Sequence, residues 1–291
     1  AVAREKRPDR KVILTEEGNF PTDVYVAGGL ASLMGQGREV RLAKAGGLAE
    51  AMSEDVAVVL LTEVNYRTGA RLDMRELTGR AHEVGALIVW DLCHSAGAVP
   101  VDLMAADADF AVGCGYKFLN GGPGAPAFAY VRTSHQGALR QPLWGWFGHR
   151  EQFAMSGEYE PADSIDAFQV GIPAILSTVA VEAGVDCIAE AGVDRLQAKG
   201  QELTQLIVVL ADDWLQPLGF SVASPRDPRR RGSHITLRHP RAKDFVRALI
   251  RQGVTPDFRP PDMIRLGPAP LYTRFVDVWD AMDRLRQLAA E

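Results

Sequence analysis

An α/β fold with a mostly parallel sheet is predicted by three features of the sequence. Apolar runs rich in β-branched residues alternate with segments of helical periodicity. The runs at 56–61 and 87–90 are continuously apolar, which is typical of strands buried on both faces. Between them, Asp73 and Glu76 have the spacing of a capping box, which marks the start of a helix. Strands therefore alternate with crossover helices.

The elements can be placed in chain order from apolar runs and from the glycine and proline residues that separate them. Predicted strands cover 12–15, 39–43, 56–61, 87–90, 111–114, 127–131, 234–237 and 263–266, and predicted helices cover 22–35, 73–85, 172–214, 242–252 and 276–290. After Val131 the sequence becomes aromatic and broken by glycine, which indicates a domain boundary or a functional loop. We therefore expect a large α/β domain over 1–165, followed over 166–291 by an interdomain helix and a small α+β domain.

Composition excludes several classes of protein. A net charge of −5 gives no broad positive field, so nucleic acid is not an expected partner. The arginine-rich loop PRDPRRR (225–231) is expected to be a solvated surface turn, the alternative being a site for an anion or a partner. No apolar stretch reaches the roughly 20 residues that cross a bilayer, and the charged segment 1–11 does not resemble a secretory signal. The cytoplasm is the expected compartment. Cys93, Cys114 and Cys187 lack metal-binding spacings and are expected to be reduced and buried.

Asp91 and Lys117 are the first candidates for chemistry. Each follows a predicted buried strand, and the carboxyl ends of parallel strands form the usual ligand crevice of an open α/β sheet. A desolvated lysine can form a Schiff base with a carbonyl cofactor, and a carboxylate can hold the proton of a pyridine nitrogen. Pyridoxal phosphate is therefore the candidate cofactor. The alternatives are an aspartate that caps a turn and a lysine on the surface.

Longer segments carry a family resemblance. The segments VWDLCHSAGAVPVDL (89–103) and DFAVGCGYKFLNGGPGAPAFAYV (109–131) closely resemble kynureninase, a pyridoxal-phosphate hydrolase of fold type I related to class V aminotransferases. The resemblance extends to GNFPTDVY (18–25), LTEVNYRTG (61–69), GWFGHR (145–150) and IRLGPAPLYTRF (264–275). It implies a mostly parallel sheet with helices on both faces. Cysteine desulfurases share this fold but typically carry histidine where this chain has Tyr116.

The resemblance implies roles around the cofactor ring. Lys117 would bind the cofactor and move protons, and Asp91 would pair with the pyridine nitrogen. Phe20 would stack on the ring, and Asp23 would add a second carboxylate beside it. Asp23 could alternatively interact with the dipole of its own helix. His94 would lie near the cofactor, although a structural role for this histidine is equally open.

Other residues are implied to bind the phosphate and the substrate. Tyr116 and Trp146 would donate hydrogen bonds to the phosphate, with Trp146 coming from a partner subunit, and Tyr116 would also act as a proton donor. Arg265 would hold the substrate carboxylate with its forked guanidinium, the alternative being an ordinary ion pair. Trp144 is expected to serve packing.

The implied reaction is hydrolysis of kynurenine, or of 3-hydroxykynurenine, to anthranilate or 3-hydroxyanthranilate plus alanine, by a homodimer with shared active sites. Tryptophan breakdown, NAD synthesis and aromatic secondary metabolism would all use it. Two other functions stay open: a related lyase or cysteine desulfurase, and an inactive homologue that acts as a binding protein. Which of the two kynurenines is preferred is also left open.

Two departures from the family pattern stand out. Kynureninases are expected to be longer, and the part of their pattern that precedes Ala1 would include a loop around the cofactor phosphate. Ile172 lies where a polar residue is usual near the phosphate or substrate. Because an apolar side chain cannot replace that hydrogen bond, altered binding is expected there.

Overall fold

The computed structural model describes residues 7–44, 46–137 and 141–291, and its first sheet has six strands. They are β1 (Val12–Glu16), β2 (Glu39–Ala43), β3 (Val56–Thr62), β4 (Leu87–Asp91), β5 (Phe110–Cys114) and β6 (Ala127–Val131). In space their order is β2-β1-β3-β4-β5-β6. All neighbours pair in parallel except β6, which is antiparallel to β5. The predicted α/β class with a mostly parallel sheet is confirmed.

Helices cover both faces of this sheet. They are α1 (Pro21–Met34), α2 (Leu48–Ala51) and α3 (Met74–Glu83). The predicted cap of α3 is present, because the Asp73 side chain accepts a hydrogen bond of 2.9 Å from the Glu76 backbone N–H. On one face, α2 and α3 pack on Leu14, Val59 and Ile88. On the other, α1 lies beside the strands but covers them only in part, so the apolar side chains of β1, β3 and β4 on that face are half-buried.

Between β6 and the next α-helix, the described chain forms only short 3₁₀ turns and loops. The turns are Thr133–His135, Trp146–Gly148, Gln152–Ala154 and Ile165–Phe168. Ile165 and Phe168 pack on Leu87, Phe110 and Val131, at the second face of the sheet. The change of sequence pattern after Val131 therefore corresponds to an irregular segment that packs against the large sheet.

A second sheet and core form the C-terminal part. The helices are α4 (Ile175–Ala191), α5 (Val193–Leu210), α6 (Ala242–Arg251) and α7 (Phe275–Ala290), and a π-helical turn (Ala211–Leu215) and a 3₁₀ turn (Gln216–Leu218) follow α5. The strands are β7 (Ser221–Val222), β8 (Ile235–Arg238), β9 (Asp257–Arg259) and β10 (Met263–Leu266), in the spatial order β7-β8-β10-β9 with antiparallel neighbours. Leu203, Ile207 and Leu210 of α5 are buried in this second core, and Leu206 is half-buried. We propose a domain boundary near residues 165 and 166 because each part has its own sheet and core.

Several predictions of detail were wrong. The helical segment 172–214 is divided, because Gly192 adopts a left-handed φ of 82° that ends α4. The short elements α2, β7 and β9 were not predicted, since each has too few residues to show a periodic pattern of apolar side chains. Cys187 is exposed, and Cys93 and Cys114 are half-buried, so the predicted burial of the cysteines was wrong. Among the described residues, no helix combines the length and hydropathy that crossing a bilayer requires.

The arginine-rich loop at 225–231 contains one residue that is not on the surface. Arg231 is only 1% exposed, although the sequence favoured a solvated turn for the whole loop. Its guanidinium donates to two backbone carbonyls and two side chains: Pro225 O at 3.0 Å, Arg226 O at 2.7 Å, Thr204 Oγ1 at 3.2 Å and Gln205 Oε1 at 3.0 Å. Arg231 thereby ties the loop to α5.

We predict that Arg231→Ala lowers the free energy of unfolding by roughly 2–4 kcal/mol, because it leaves buried carbonyl groups without donors. Arg230→Ala is the matched control, since this neighbour is exposed and its removal should leave stability nearly unchanged. Chemical denaturation of both variants measures the difference. Equal stability of the two variants would show that the Arg231 hydrogen bonds contribute nothing net.

Candidate active site

Three chemically important side chains lie at the carboxyl ends of neighbouring parallel strands. Thr62 ends β3 and pairs in register with Asp91, which ends β4. Lys117 follows β5 by three residues. Gly97 adopts a φ of 82°, and a Cβ there would lie 2.6 Å from the carbonyl oxygen of Phe118, so the turn after β4 can approach the lysine loop only with glycine. The predicted crevice at this edge of the sheet is therefore present.

Two carboxylates lie side by side at this edge. Asp91 is 4% exposed and accepts a hydrogen bond of 2.7 Å from the Cys93 backbone N–H. Asp23, in the first turn of α1, lies in hydrogen-bond contact with Asp91, and the Thr62 hydroxyl lies 3.4 Å from it. Burial, followed by repulsion from Asp91, raises the pKa of Asp23 to about 7. The pair therefore holds at least part of a proton near neutral pH.

Lys117 contacts a histidine rather than a carboxylate. Its Nζ lies 3.2 Å from His94 Nε2 and 5.4 Å from the centre of the Tyr116 ring. Burial, and then the nearby His234 and Lys117, lower the pKa of His94 well below its usual value. His94 is therefore neutral at physiological pH, and its Nε2 can accept a hydrogen bond from the lysine ammonium.

The lysine opens into a cavity of about 430 Å³ between the two parts of the chain. One wall comes from the large sheet and the other from the C-terminal sheet and its loops. The lining residues are His94, Tyr116, Lys117, Phe118, His234, Thr255, Asp257, Arg259, Arg265, Gly267, Ala269 and Tyr272. The structure thus brings the predicted residues Lys117, Tyr116, His94 and Arg265 to one pocket.

Arg265 is fixed by its neighbours. Its Nε and Nη2 donate to the two carboxylate oxygens of Asp257, at 3.0 and 2.5 Å, and its Nη1 donates to Tyr66 O at 2.6 Å. Arg259 also donates to both oxygens of Asp257, at 3.1 and 3.0 Å. The arrangement has two guanidinium groups around one carboxylate, and it therefore keeps a net positive charge in the pocket.

Asp23 and Asp91 do not line this cavity, and three other residues singled out in the sequence also lie outside it. Phe20 precedes α1, and its ring lies edge-on to Tyr66 with centroids 5.1 Å apart. Trp146 packs on Phe147, with centroids 4.6 Å apart, and is 37% exposed. Ile172 is 68% exposed. Stacking by Phe20, phosphate binding by Trp146 and an effect of Ile172 on binding stay predictions. Trp144, expected to pack, stacks on Tyr159 with centroids 4.9 Å apart.

Sequence reasoning missed two residues of the pocket. His234 is 2% exposed and its ring centre lies 5.3 Å from that of His94. Burial, and then Arg265, lower the pKa of His234 to about 3, so this ring is neutral too. Asp257 was missed because it lies in the short β9. The alternation of charged and apolar residues in DFR (257–259) was the available signal.

The residues present fit pyridoxal phosphate. Asp23 and Asp91 form a buried anionic pair whose mutual repulsion a protonated pyridine nitrogen would relieve. The Lys117 amine and the cationic Arg265 lie together in a single cavity large enough for a small ligand. Lys117 and the two carboxylates would hold the cofactor ring.

Solved structures with this fold include pyridoxal-phosphate enzymes. A cysteine desulfurase from Thermococcus onnurineus superposes with a TM-score of 0.83 at 17% identity, covering 97% of this chain and 73% of that chain. A mutant of C-DES with glycine covalently linked to its PLP cofactor gives a TM-score of 0.82 at 17% identity, covering 96% of this chain and 74% of that chain. At such identities the likeness shows the fold alone, and it confirms fold type I.

Comparison with the sequences of known proteins identifies the family. The pattern of the kynureninase C-terminal domain matches residues 196–285. Kynureninase of Pseudomonas fluorescens is 46% identical over 288 residues, which is 99% of this chain and 69% of that protein. Kynureninase of Burkholderia mallei strain SAVP1 is 45% identical over 282 residues, 97% of this chain and 68% of that protein. This chain therefore belongs to the kynureninase family.

Proposed function

We propose that this protein hydrolyses L-kynurenine, or its 3-hydroxy form, to anthranilate, or 3-hydroxyanthranilate, and L-alanine with pyridoxal phosphate as cofactor. Family membership supports the reaction. The observation that carries the assignment is the single cavity in which the Lys117 amine contacts a neutral His94 and faces the fixed guanidinium of Arg265. It offers one basic amine and one carboxylate-binding group to an amino acid substrate.

The residues that would hold the cofactor form one group at the sheet edge. Lys117 would bind its carbonyl carbon, and Asp91 and Asp23 would accept a hydrogen bond from the protonated pyridine nitrogen. Phe20 would stack on the ring from its place before α1, and His94 would lie beside it. Bound in this way, pyridoxal phosphate supplies an electron sink for cleavage of the Cα–H and Cβ–Cγ bonds.

The substrate carboxylate is assigned to Arg265. Asp257 occupies the Nε and Nη2 side of the guanidinium, which leaves one further N–H on each of Nη1 and Nη2 for an incoming carboxylate. Because Asp257 and the Tyr66 carbonyl fix the guanidinium plane, little rotamer freedom is lost on binding. Asp257 is therefore a positioning residue for Arg265.

Proton movements are assigned to Lys117 and Tyr116. The Lys117 amine accepts the α-proton of the substrate at Nζ, and His94 Nε2 accepts a hydrogen bond from the ammonium that results. A water molecule adds to the γ-carbonyl, the Cβ–Cγ bond breaks, and anthranilate leaves with the former γ-carbon as its carboxyl group. The Tyr116 hydroxyl then donates a proton to Cβ, which becomes the methyl carbon of alanine. Tyr116 is 52% exposed and adjoins the lysine, so it can reach a substrate in the cavity.

A homodimer in the cytoplasm is part of the proposal. Apolar side chains are exposed at the start of α4, with Ile175 at 60% and Leu176 at 90%, and a second subunit would cover them. Trp146 lies away from the cavity of its own chain, which suits a role in the partner's phosphate site together with the partner's Tyr116. Free Cys93, Cys114 and Cys187 suit a reducing compartment.

Lys117→Ala tests the function directly. We expect turnover of kynurenine to fall at least about 10³-fold and the absorbance of the bound cofactor to disappear, because both depend on the amine. Lys243→Ala is the control, since this lysine is exposed on α6. Release of alanine is measured from kynurenine and, separately, from cysteine. Wild-type release from cysteine alone would favour a desulfurase, and no release from either would indicate an inactive homologue.

Arg265→Lys tests substrate binding. A single ammonium cannot reproduce the forked contact, so loss of about 1.5–3 kcal/mol predicts an increase in KM of roughly 10–100-fold with a smaller change in kcat. Arg247→Lys, on the exposed side of α6, is the matched control. Steady-state kinetics with kynurenine provide both parameters. A loss confined to kcat would argue that Arg265 does not hold the carboxylate.

Asp23→Asn tests the carboxylate pair in protein without cofactor. The folded-state pKa of about 7 lies above the usual 3.8, so the folded protein binds more protons than the unfolded chain, and Asp23 makes stability fall as the pH rises from about 4 to 7. Asparagine removes this fall. Allowing for solvent screening, we expect the variant to gain roughly 1–2 kcal/mol relative to wild type at pH 8.

Denaturant titrations of wild type and variant at pH 4.5 and pH 8 measure this difference. Most of the fall in stability lies between these values, because pH 4.5 is 0.7 units above 3.8 and pH 8 is one unit above 7. Asp213→Asn, at an exposed site, is the control and should follow wild type. Parallel stability curves for wild type and Asp23→Asn would mean that the pKa of Asp23 is not raised in the folded protein.

A further inference from the structure

Two cysteines lie together beside the cofactor-binding edge of the sheet. Cys114 is the last residue of β5, and Cys93 lies two residues beyond β4. Asp91 pairs in register with Val112, and the Leu92 N–H bonds to Val112 O at 2.8 Å, so continuing the register places Cys93 opposite Cys114. Cys114 Sγ lies 3.7 Å from the carbonyl oxygen of Cys93, so the two cysteines are direct neighbours.

The spacing suits a covalent bond between the sulfur atoms. Neighbouring strands lie about 4.8 Å apart, and disulfides form where Cα atoms are about 4.4–6.8 Å apart. Both cysteines are free and half-buried, so a small reagent can reach them. We propose that Cys93 and Cys114 form a redox-active dithiol, a modification site that closes to an intramolecular disulfide by exchange with a low-molecular-weight disulfide.

The two thiols have different chemical characters. A hydrogen bond from Cys93, together with the positive charge of Lys117, lowers the pKa of Cys114 to about 6 against the opposing effects of burial and Asp91. The same hydrogen bond, burial and the Asp91 carboxylate raise the pKa of Cys93 far above its usual value. Cys114 is therefore the attacking thiolate at neutral pH, and Cys93 is the thiol that completes the exchange.

The exchange balances without any further reagent. The Cys114 thiolate attacks one sulfur of the small disulfide RSSR, a bond between Cys114 and that sulfur forms, and RS⁻ leaves. Cys93 then transfers its proton to the solvent, attacks Cys114 Sγ and displaces the second RS⁻. Two protein thiols are oxidised and RSSR is reduced to two RSH. The product joins the ends of β4 and β5, the strands that position Asp91 and Lys117.

The test uses the protein loaded with pyridoxal phosphate and 2-hydroxyethyl disulfide, which has no amine that could react with the cofactor. After incubation at pH 7, the protein is denatured, remaining thiols are blocked with N-ethylmaleimide, and intact mass and peptide maps are recorded. We expect a peptide pair linking Cys93 to Cys114 and no maleimide on either residue, while the exposed Cys187 carries either one maleimide or one mixed disulfide. Dithiothreitol should restore three adducts.

Three variants identify the role of each cysteine. Cys187→Ser should still form the internal disulfide, since this exposed thiol takes no part. Cys93→Ser should stop at a mixed disulfide on Cys114, and Cys114→Ser should react at least about 10-fold more slowly than wild type because its remaining thiol is protonated. Three maleimide adducts on treated wild-type protein, or modification at Cys187 alone, would overturn the proposal. It rests on these thiols and is independent of the proposed reaction.

Discussion

The repulsion between Asp23 and Asp91 is the constraint on which the site depends. Asp91 is fixed by the pairing of β3 with β4, and Asp23 is fixed in the first turn of α1, so the two carboxylates cannot move apart without disturbing the sheet. Because burial disfavours its charged form and the Asp91 carboxylate repels it, Asp23 keeps a proton up to about neutral pH, where its pKa of about 7 lies. A protonated aromatic nitrogen at this edge would relieve the repulsion. The two carboxylates should therefore bind an aromatic ring with a protonated nitrogen more strongly than a neutral ring.

The cationic side of the site is kept separate from this pair. Lys117 contacts neutral His94, and Arg265 is held by Asp257 and by the Tyr66 carbonyl. His94 and His234 are both neutral, because burial lowers the pKa of each. The fixed positive charge of the cavity therefore comes from Arg259 and Arg265, and the carboxylate pair lies outside the cavity lining.

The sequence predicted the parts of the site that depend on local pattern. Asp91 and Lys117 could be placed because each follows a continuously apolar run. Such a run is the sequence pattern typical of a buried parallel strand. His234 and Asp257 could not be placed, since they reach the cavity only through packing of the small antiparallel sheet against the large one. Arg231 was expected on the surface because a run of arginines usually indicates a solvated turn. Its burial depends instead on backbone carbonyl groups of the loop that point inward and accept its hydrogen bonds. The family resemblance implied what the site residues do, but it did not predict the contacts of His234, Asp257 and Arg231.

Contacts between the two parts of the chain explain why the C-terminal residues reach the site. The Gly69 segment approaches His234 so closely that a Cβ would lie 2.7 Å from its carbonyl oxygen. Nearby, the Gly232 N–H donates to Gly69 O at 2.8 Å, and the Arg71 N–H donates to Arg230 O at 2.9 Å. Backbone contacts of this kind fix position more strictly than flexible side chains do. Arg265 donates to the carbonyl of Tyr66 in the same segment. A shift in these contacts between the two parts of the chain would therefore move the guanidinium relative to Lys117. The position of Arg265 relative to Lys117 is therefore set by the contacts between the two parts of the chain, and neither sheet alone defines it.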